Sequence, residues 1–574
     1  MRIVRETCVP RPEVLHGELD DAIFAADFGH VIGGNAPQVY QDPCLFFRNT
    51  HPAEPLRHLV RTVFDRLAEP DEAGALLRLR TGFGGGKTHA LIALWHLARH
   101  ASESTLGTDL LPAAGRPSAV AVAGFDGEKA GTAVVARHDG LETHSLWAEL
   151  AWQLGGTDGY AVMRDVDDPE KSPDSGLIRD VLPAKPVLIL LDEVVKYMAQ
   201  LSEHARGCLL RFLGALSAEI TARKQAGLII TDPAGQTAYL TETGLLNQAL
   251  ADARRLDDEL GRRFTDLDPI GKESVQVIAR RLFEEIEKAA ADQASAEYHQ
   301  LYQRVAAEHP GSIPAEAAGM GYADRIVQCY PFHPRLLEVA QNRLGALERF
   351  QKSRGTLRLF ARILRDIWES ESNITLISEG DLNWSSPRIQ QDLLERLDRA
   401  SLKAAVDADV HDHAGQLDGE YSTDIHRRVA SALLLESLQE PSRPAVTKEE
   451  LTLAVLRPTE VGYDPGEALD RLMERCWHTY SDATGQRYHF GYQPNNVKRI
   501  EERMAAPGME ENARQRVRTM AQQYFRGHIF TLCPFPSAPS AVPDTQTPKL
   551  VLADSEKQAQ EICDWANDSD PQAK

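Results

Sequence analysis

Gly82, Gly84, Gly85 and Gly86 fall within five consecutive positions and run directly into Lys87-Thr88. Before them, Ala75–Arg80 is short, apolar and strand-like; after them, His89–His100 has the pattern of a helix. A strand, a loop nearly stripped of side chains and a helix opening on lysine make a cradle for polyphosphate. Glycine lets backbone N–H groups close around anionic oxygens, and the new helix turns its positive end toward them. Lys87 is placed to reach the β- and γ-phosphates, and the Thr88 hydroxyl to ligate Mg²⁺. The usual spacing, G-x-x-x-x-G-K-[ST], asks for glycine where this chain has Thr81. The departure falls where phosphate contact matters least. ATP and Mg²⁺ are therefore the expected ligands.

About 105 residues further on, Pro186-Val187-Leu188-Ile189-Leu190-Leu191 ends in Asp192-Glu193. An unbroken apolar run reads as a strand buried on both faces, and carboxylates at its end sit where a parallel sheet binds ligands. Asp192 is expected to hold Mg²⁺ through water, and Glu193 to polarise the attacking water, the position that marks a hydrolase. The strand Gly227–Ile230 ends in Thr231-Asp232, which fits a polar sensor between the two motif strands. Arg262-Arg263, before Phe264, suit either an arginine finger toward a neighbouring subunit or a helix end favoured by the dipole. Arg354 and Arg358, four apart on one helix face, suit either a reach over the γ-phosphate or a surface salt-bridge row.

The wider pattern predicts an α/β P-loop NTPase, AAA+-like, with a five-stranded parallel sheet, followed by a helical lid and a winged-helix-like α+β domain. Residues 1–74 lead in, with an amphipathic helix from about Pro55 to Ala68. Strand candidates at Ala75–Arg80, Ala119–Gly124, Val187–Leu191, Gly227–Thr231 and Phe264–Ile270 alternate with helical patterns across 75–270. Residues 271–370 read as helices alone, at Ser274–Ala290, Pro334–Phe350 and Thr356–Trp368. Within 371–533, helical patterns at Asp424–Leu438, Lys448–Leu456 and Gly466–Cys476 precede strands at Trp477–Ser481 and Arg487–Gly491. Pro534, Pro536, Pro539, Pro543 and Pro548 mark a linker over 534–548. The last piece, 549–574, holds one strand and one helix, too little to close a core. It either packs on a preceding domain or belongs to a shortened chain.

Several segments together resemble a known group: large bacterial and archaeal AAA+-like ATPases of an otherwise uncharacterised family, found beside DNA methyltransferase and helicase genes in phage-defence loci. The resemblance spans roughly residues 20–555 and rests on Phe24-Ala25-Ala26-Asp27, the loop Gly82-Phe83-Gly84-Gly85-Gly86-Lys87-Thr88-His89, Leu146–Gly155, the acid pair, Tyr330-Pro331-Phe332-His333-Pro334 and Ser353–Arg358. It implies nucleotide binding along Gly82–His89, ATP hydrolysis, a homo-oligomer, and partners such as a methyltransferase, helicase or nuclease.

The charge balance bears on DNA. With Lys+Arg 63 against Asp+Glu 84, the net charge of −21 repels a phosphate backbone unless cations gather on one face. The third helix of the winged-helix-like part carries Arg471 and Arg475 against Glu467, Asp470 and Glu474, a poor phosphate reader. Arg487, His489 and Lys498-Arg499 suit a wing that touches a backbone at most. His411-Asp412-His413 reads as a solvated polar loop rather than a metal site. Seven scattered cysteines without a C-x-x-C pair suit a reducing cytoplasm, and no apolar run approaches a membrane span.

Overall fold

The computed structural model describes residues 2–16, 24–69, 74–81, 86–233, 264–267, 274–458, 464–505, 508–525, 529–543 and 545–567. The chain forms two compact units, Met1–Met473 with Thr479–Tyr492, and Glu474–His478 with Gln493–Lys574.

The first unit is mixed α/β around a five-stranded parallel sheet. Its strands are β1 (Ala75–Thr81), β2 (Ala121–Asp126), β3 (Val187–Asp192), β4 (Ala226–Pro233) and β5 (Thr265–Leu267), in the spatial order β2-β3-β4-β1-β5. The interior strand β3 is buried along its whole length, as its unbroken apolar sequence requires. Its side chains alternate between two cores. Val187, Ile189 and Leu191 pack with Trp147, Leu150, Leu209 and Phe212 on one face. Leu188 and Leu190 pack with Leu59, Val63, Leu91 and Leu94 on the other. Each such side chain contributes roughly 1.5–3 kcal/mol by leaving water, so β3 is firmly anchored from both faces.

β2 is an edge strand, and a side chain closes part of that edge. Gln153, on the helix Leu146–Met163, accepts from the Gly124 N–H at 2.8 Å and donates to the Gly124 carbonyl at 2.9 Å. A Cβ on Gly124 would lie 2.8 Å from Ile32 Cδ1 and 2.9 Å from Phe28 Cζ, so those side-chain tips would have to shift to admit one.

The region after the sheet is not helical throughout. The helix expected over Ser274–Ala290 stops at Leu282, and Phe283–Ile286 instead forms a strand antiparallel to Cys8–Pro10 near the amino terminus. Burial of Phe283 against Phe332 and pairing with a distant strand override the local helical pattern. The stretch expected as one helix over Pro334–Phe350 breaks into a short α-helix, a wider π-type turn and two 3₁₀ turns. Farther along, Ile425–Ser437, Lys448–Val455 and Pro465–Arg475 are helices. They accompany an antiparallel three-stranded sheet in which Arg487–Phe490 lies between Val446–Thr447 and Thr479–Ser481. The two-residue strand at Val446 escaped the sequence reading because it is too short to show a period.

Buried ions join the helical elements. Arg335 pairs with Glu436, and lies 3.5 Å from Glu379 and 3.4 Å from Glu450. The stretch His411-Asp412-His413 is helical, not a loop, and His413 is buried on Asp409 at 2.9 Å.

In the second unit, Lys549–Leu552 pairs in parallel with Thr531–Pro534. The proline-rich stretch is therefore the crossover between two paired strands, and the late strand has a partner within its own unit.

Candidate functional site

The carboxyl ends of β1, β3 and β4 come together because β4 lies between β1 and β3. Gly82, Phe83, Gly84 and Gly85 lie outside the described residues, as do Arg262 and Arg263. The loop is described again from Gly86, which caps the helix Lys87–Arg99 with φ 70°, a left-handed conformation that glycine adopts without strain. Lys87 is buried in the first turn, and Thr88 hydrogen-bonds the Asp192 carboxylate from the next position.

Asp192 is 1% exposed, at the last position of β3. The Thr231 hydroxyl donates to Asp192 Oδ1 at 2.5 Å and accepts from the Glu193 N–H at 3.0 Å, so one side chain from β4 ties both acidic residues. Burial and the charge of Glu193 push the Asp192 carboxyl up to about 7, against the pull of the Thr231 and Thr88 hydroxyls. Glu193 follows with φ 49°, a left-handed backbone that costs a non-glycine residue of order 1 kcal/mol. That kink ends the strand and starts the helix Val194–Gln200, and leaves the Glu193 side chain 18% exposed beside the buried Asp192.

A third acid, not singled out from sequence, belongs to this group. Asp126 ends β2 in register with Asp192. Its carboxylate accepts from the N–H groups of Gly29 at 3.0 Å and Glu128 at 2.9 Å, while burial raises its pKa. The following Gly127 donates to the Asp192 carbonyl at 2.9 Å. A Cβ on Gly127 would meet the Glu193 carbonyl oxygen at 2.4 Å, so this loop sits directly against the acid pair. The signal available in sequence was Phe125-Asp126-Gly127 at the end of a strand, an acid followed by a glycine, which is too common to select.

Other expected site residues have other partners. His89 Nε2 bonds Thr50 Oγ1 at 2.9 Å and its ring lies 4.5 Å from Phe46. Since Thr50 donates its own proton to the Phe46 carbonyl, His89 is the donor in that pair. Enclosure, with help from Arg281, lowers its pKa to about 3. These contacts point the imidazole at the amino-terminal helices. Arg358 is 2% exposed and paired with Asp392 at 2.8 Å, in a cluster with Arg362 and Arg396. It is not a surface ion pair. Arg354 donates to the Ala26 carbonyl at 3.2 Å, joining the helical region to the segment that enters at Asp27. Asp27 in turn pairs with Lys129 at 3.2 Å, three residues beyond Asp126.

In the three-stranded antiparallel sheet, Arg487 donates to the Ala445 carbonyl at 3.1 Å and His489 is buried. Arg471 pairs with Glu467 at 2.9 Å, and Asp470 with Lys448 at 2.8 Å. In the second unit, Lys498 donates to the Cys476 carbonyl at 2.9 Å and Arg499 lies over the Trp477 ring at 5.1 Å. Among the described residues no helix is long and apolar enough to cross a membrane.

Comparison with known families gives two matches. Residues 4–114 are similar to the DUF499 N-terminal domain, and residues 270–471 to the DUF499 second domain. The first covers β1, Lys87 and Thr88; the acid pair and Thr231 fall between the two. No curated protein matches this chain.

Proposed function

We propose that this chain, similar over two segments to the DUF499 domains, is a Mg²⁺-dependent ATPase built on an AAA+-like P-loop core. The observation that carries this reading is the meeting of Thr88, beside Lys87 at the start of one helix, with Asp192 at the end of β3, with Thr231 bonded to Asp192 and to the Glu193 that follows it. A carboxyl pushed up to about 7 by burial and a neighbouring acid is short of a cation, which suits a divalent ion held by Asp192 and Thr88. Bound Mg²⁺ neutralises charge on the phosphate oxygens. Lys87 binds the terminal phosphates, the Gly86 turn aims the helix N-terminus at them, and Glu193 takes the proton of the attacking water. Thr231 fixes the Asp192 carboxylate and the Glu193 backbone, so that both acids keep their relative placement.

Glu193→Gln tests the reading: turnover is lost and nucleotide binding retained, because only the transition state uses the base. Normal turnover in that variant removes Glu193 from its role. A wild-type chain that binds ATP but stays slow under every condition would instead be a nucleotide-gated scaffold recruiting a methyltransferase or nuclease. Action as a motor or switch of an anti-phage defence complex on DNA rests on the family resemblance alone. So does a homo-oligomer in which Arg262 or Arg263 serves the neighbouring nucleotide.

We read the three helices and three-stranded sheet of 425–490 as a winged helix that docks on protein rather than one that reads DNA as a regulator. Its candidate phosphate contacts support this, since Arg487 is spent on a backbone carbonyl and His489 is buried. A DNA-binding titration across salt concentrations checks it, and a steep salt slope would favour the regulator.

A further inference from the structure

Lys196 stands one helical turn after Glu193, and its ammonium lies between two carboxylates. Nζ is 2.7 Å from Glu128 Oε2 and 3.7 Å from Glu193 Oε2. The shorter contact is a charge-assisted hydrogen bond; the longer is an ion pair without one. Glu128 is on a fixed loop. Its own N–H is bonded to Asp126, and its neighbour Gly127 donates to the Asp192 carbonyl. Lys196 is thus tethered to the loop behind β2 while holding the carboxylate whose freedom the chemistry needs. An ammonium this close to the Glu193 carboxylate competes with water for the same oxygen.

We propose that Lys196 is a positioning residue that restrains Glu193, with Glu128 as the counter-tether that limits how tightly it does so. The inference rests on Glu193 being the base of an ATPase. Lys196 undergoes no covalent change; it sets where the Glu193 carboxylate spends its time. The two partners then have opposite effects. Without Lys196 the carboxylate is released toward the attacking water. Without the Glu128 charge the ammonium closes onto Glu193 and holds it more firmly. A partly exposed pair of this kind is worth up to about 1 kcal/mol, or about fivefold in rate.

The test is single-turnover ATP hydrolysis with enzyme in excess, which reads the chemical step, alongside binding of a fluorescent ATP analogue with Mg²⁺. Lys196→Met is expected to speed the step about fivefold and Glu128→Gln to slow it about fivefold. The double variant should match Lys196→Met, Lys196→Arg should match wild type, and analogue affinity should change by less than about twofold in all of them. A structural defect would slow both single variants and lower their melting temperatures. A rate in Lys196→Met that is unchanged or reduced, while Glu193→Gln abolishes turnover, overturns the restraint alone. A wild-type chain with no turnover, indifferent to Glu193→Gln, overturns the ATPase reading and the restraint with it.

Discussion

Replacing Gly127 by alanine should damage the acid pair without touching an acid. The added Cβ would lie 2.4 Å from the Glu193 carbonyl oxygen, 2.9 Å from its carbonyl carbon and 3.0 Å from Tyr197 Cβ. Ordinary van der Waals contact begins near 3.4 Å, so the Glu193 peptide or the loop must move by about 1 Å. The loop is held by the bond from Gly127 N–H to the Asp192 carbonyl, and the Glu193 carbonyl by the N–H groups of Lys196 at 3.0 Å and Tyr197 at 3.4 Å, so neither yields cheaply. Overpacking of this kind costs about 1–3 kcal/mol of stability. A displacement of about 1 Å at a catalytic group costs on the order of 100-fold in rate. Denaturant unfolding reads the first number and steady-state ATP turnover the second. Gly140→Ala serves as control, since its φ of 78° strains an alanine while nothing lies within 4 Å of the added carbon. If Gly127→Ala unfolds and turns over like wild type, while Gly140→Ala alone is destabilised, the contact between this loop and the acid pair is refuted.

Three further outcomes are expected. Thr231→Val leaves the Asp192 carboxylate and the Glu193 N–H without their shared partner, for a loss of about 1–3 kcal/mol per buried group in chemical denaturation. Thr231→Ser should recover most of it. Asp392→Ala strips the carboxylate facing Arg358, Arg362 and Arg396, and about 3–5 kcal/mol of stability should go with it, against little change for an exposed acid such as Glu395. His333, buried and bonded to Tyr302 at 2.9 Å, has its pKa lowered to about 3 by burial. The native state then takes up its proton later than the unfolded chain does. Stability at this residue is complete above pH about 6.5 and is lost as pH falls from there toward 3. His333→Gln should flatten the stability profile in that window by about 1.4 kcal/mol per pH unit, and an unchanged slope counts against a neutral buried imidazole.

The parts of the site that were legible in sequence are those with strong local signals. Lys87-Thr88 announce themselves through the glycines before them, and Asp192-Glu193 through six apolar residues in a row. Asp126 gave no such signal. It reaches the site through the register of β2 on β3, a property of the sheet and not of its own neighbours. The same holds for Phe283–Ile286, whose helical pattern loses to pairing with residues some 275 positions earlier. Arg358 shows the converse. Its i,i+4 spacing with Arg354 placed it correctly on a helix, but spacing cannot tell a face that meets solvent from one that meets a buried Asp392.

The two hydrogen bonds between Gln153 and Gly124 also guard the rim of the sheet. An open strand at the rim of a sheet is a template on which another chain can extend, and proteins that expose one invite aggregation. By occupying both the donor and the acceptor of Gly124, Gln153 takes away the middle rung on which an incoming strand would dock. Its own position is fixed by a helix packed on the core, so this guard cannot swing aside as a loop could. The five-stranded sheet thus carries at that rim its own stop against a sixth strand.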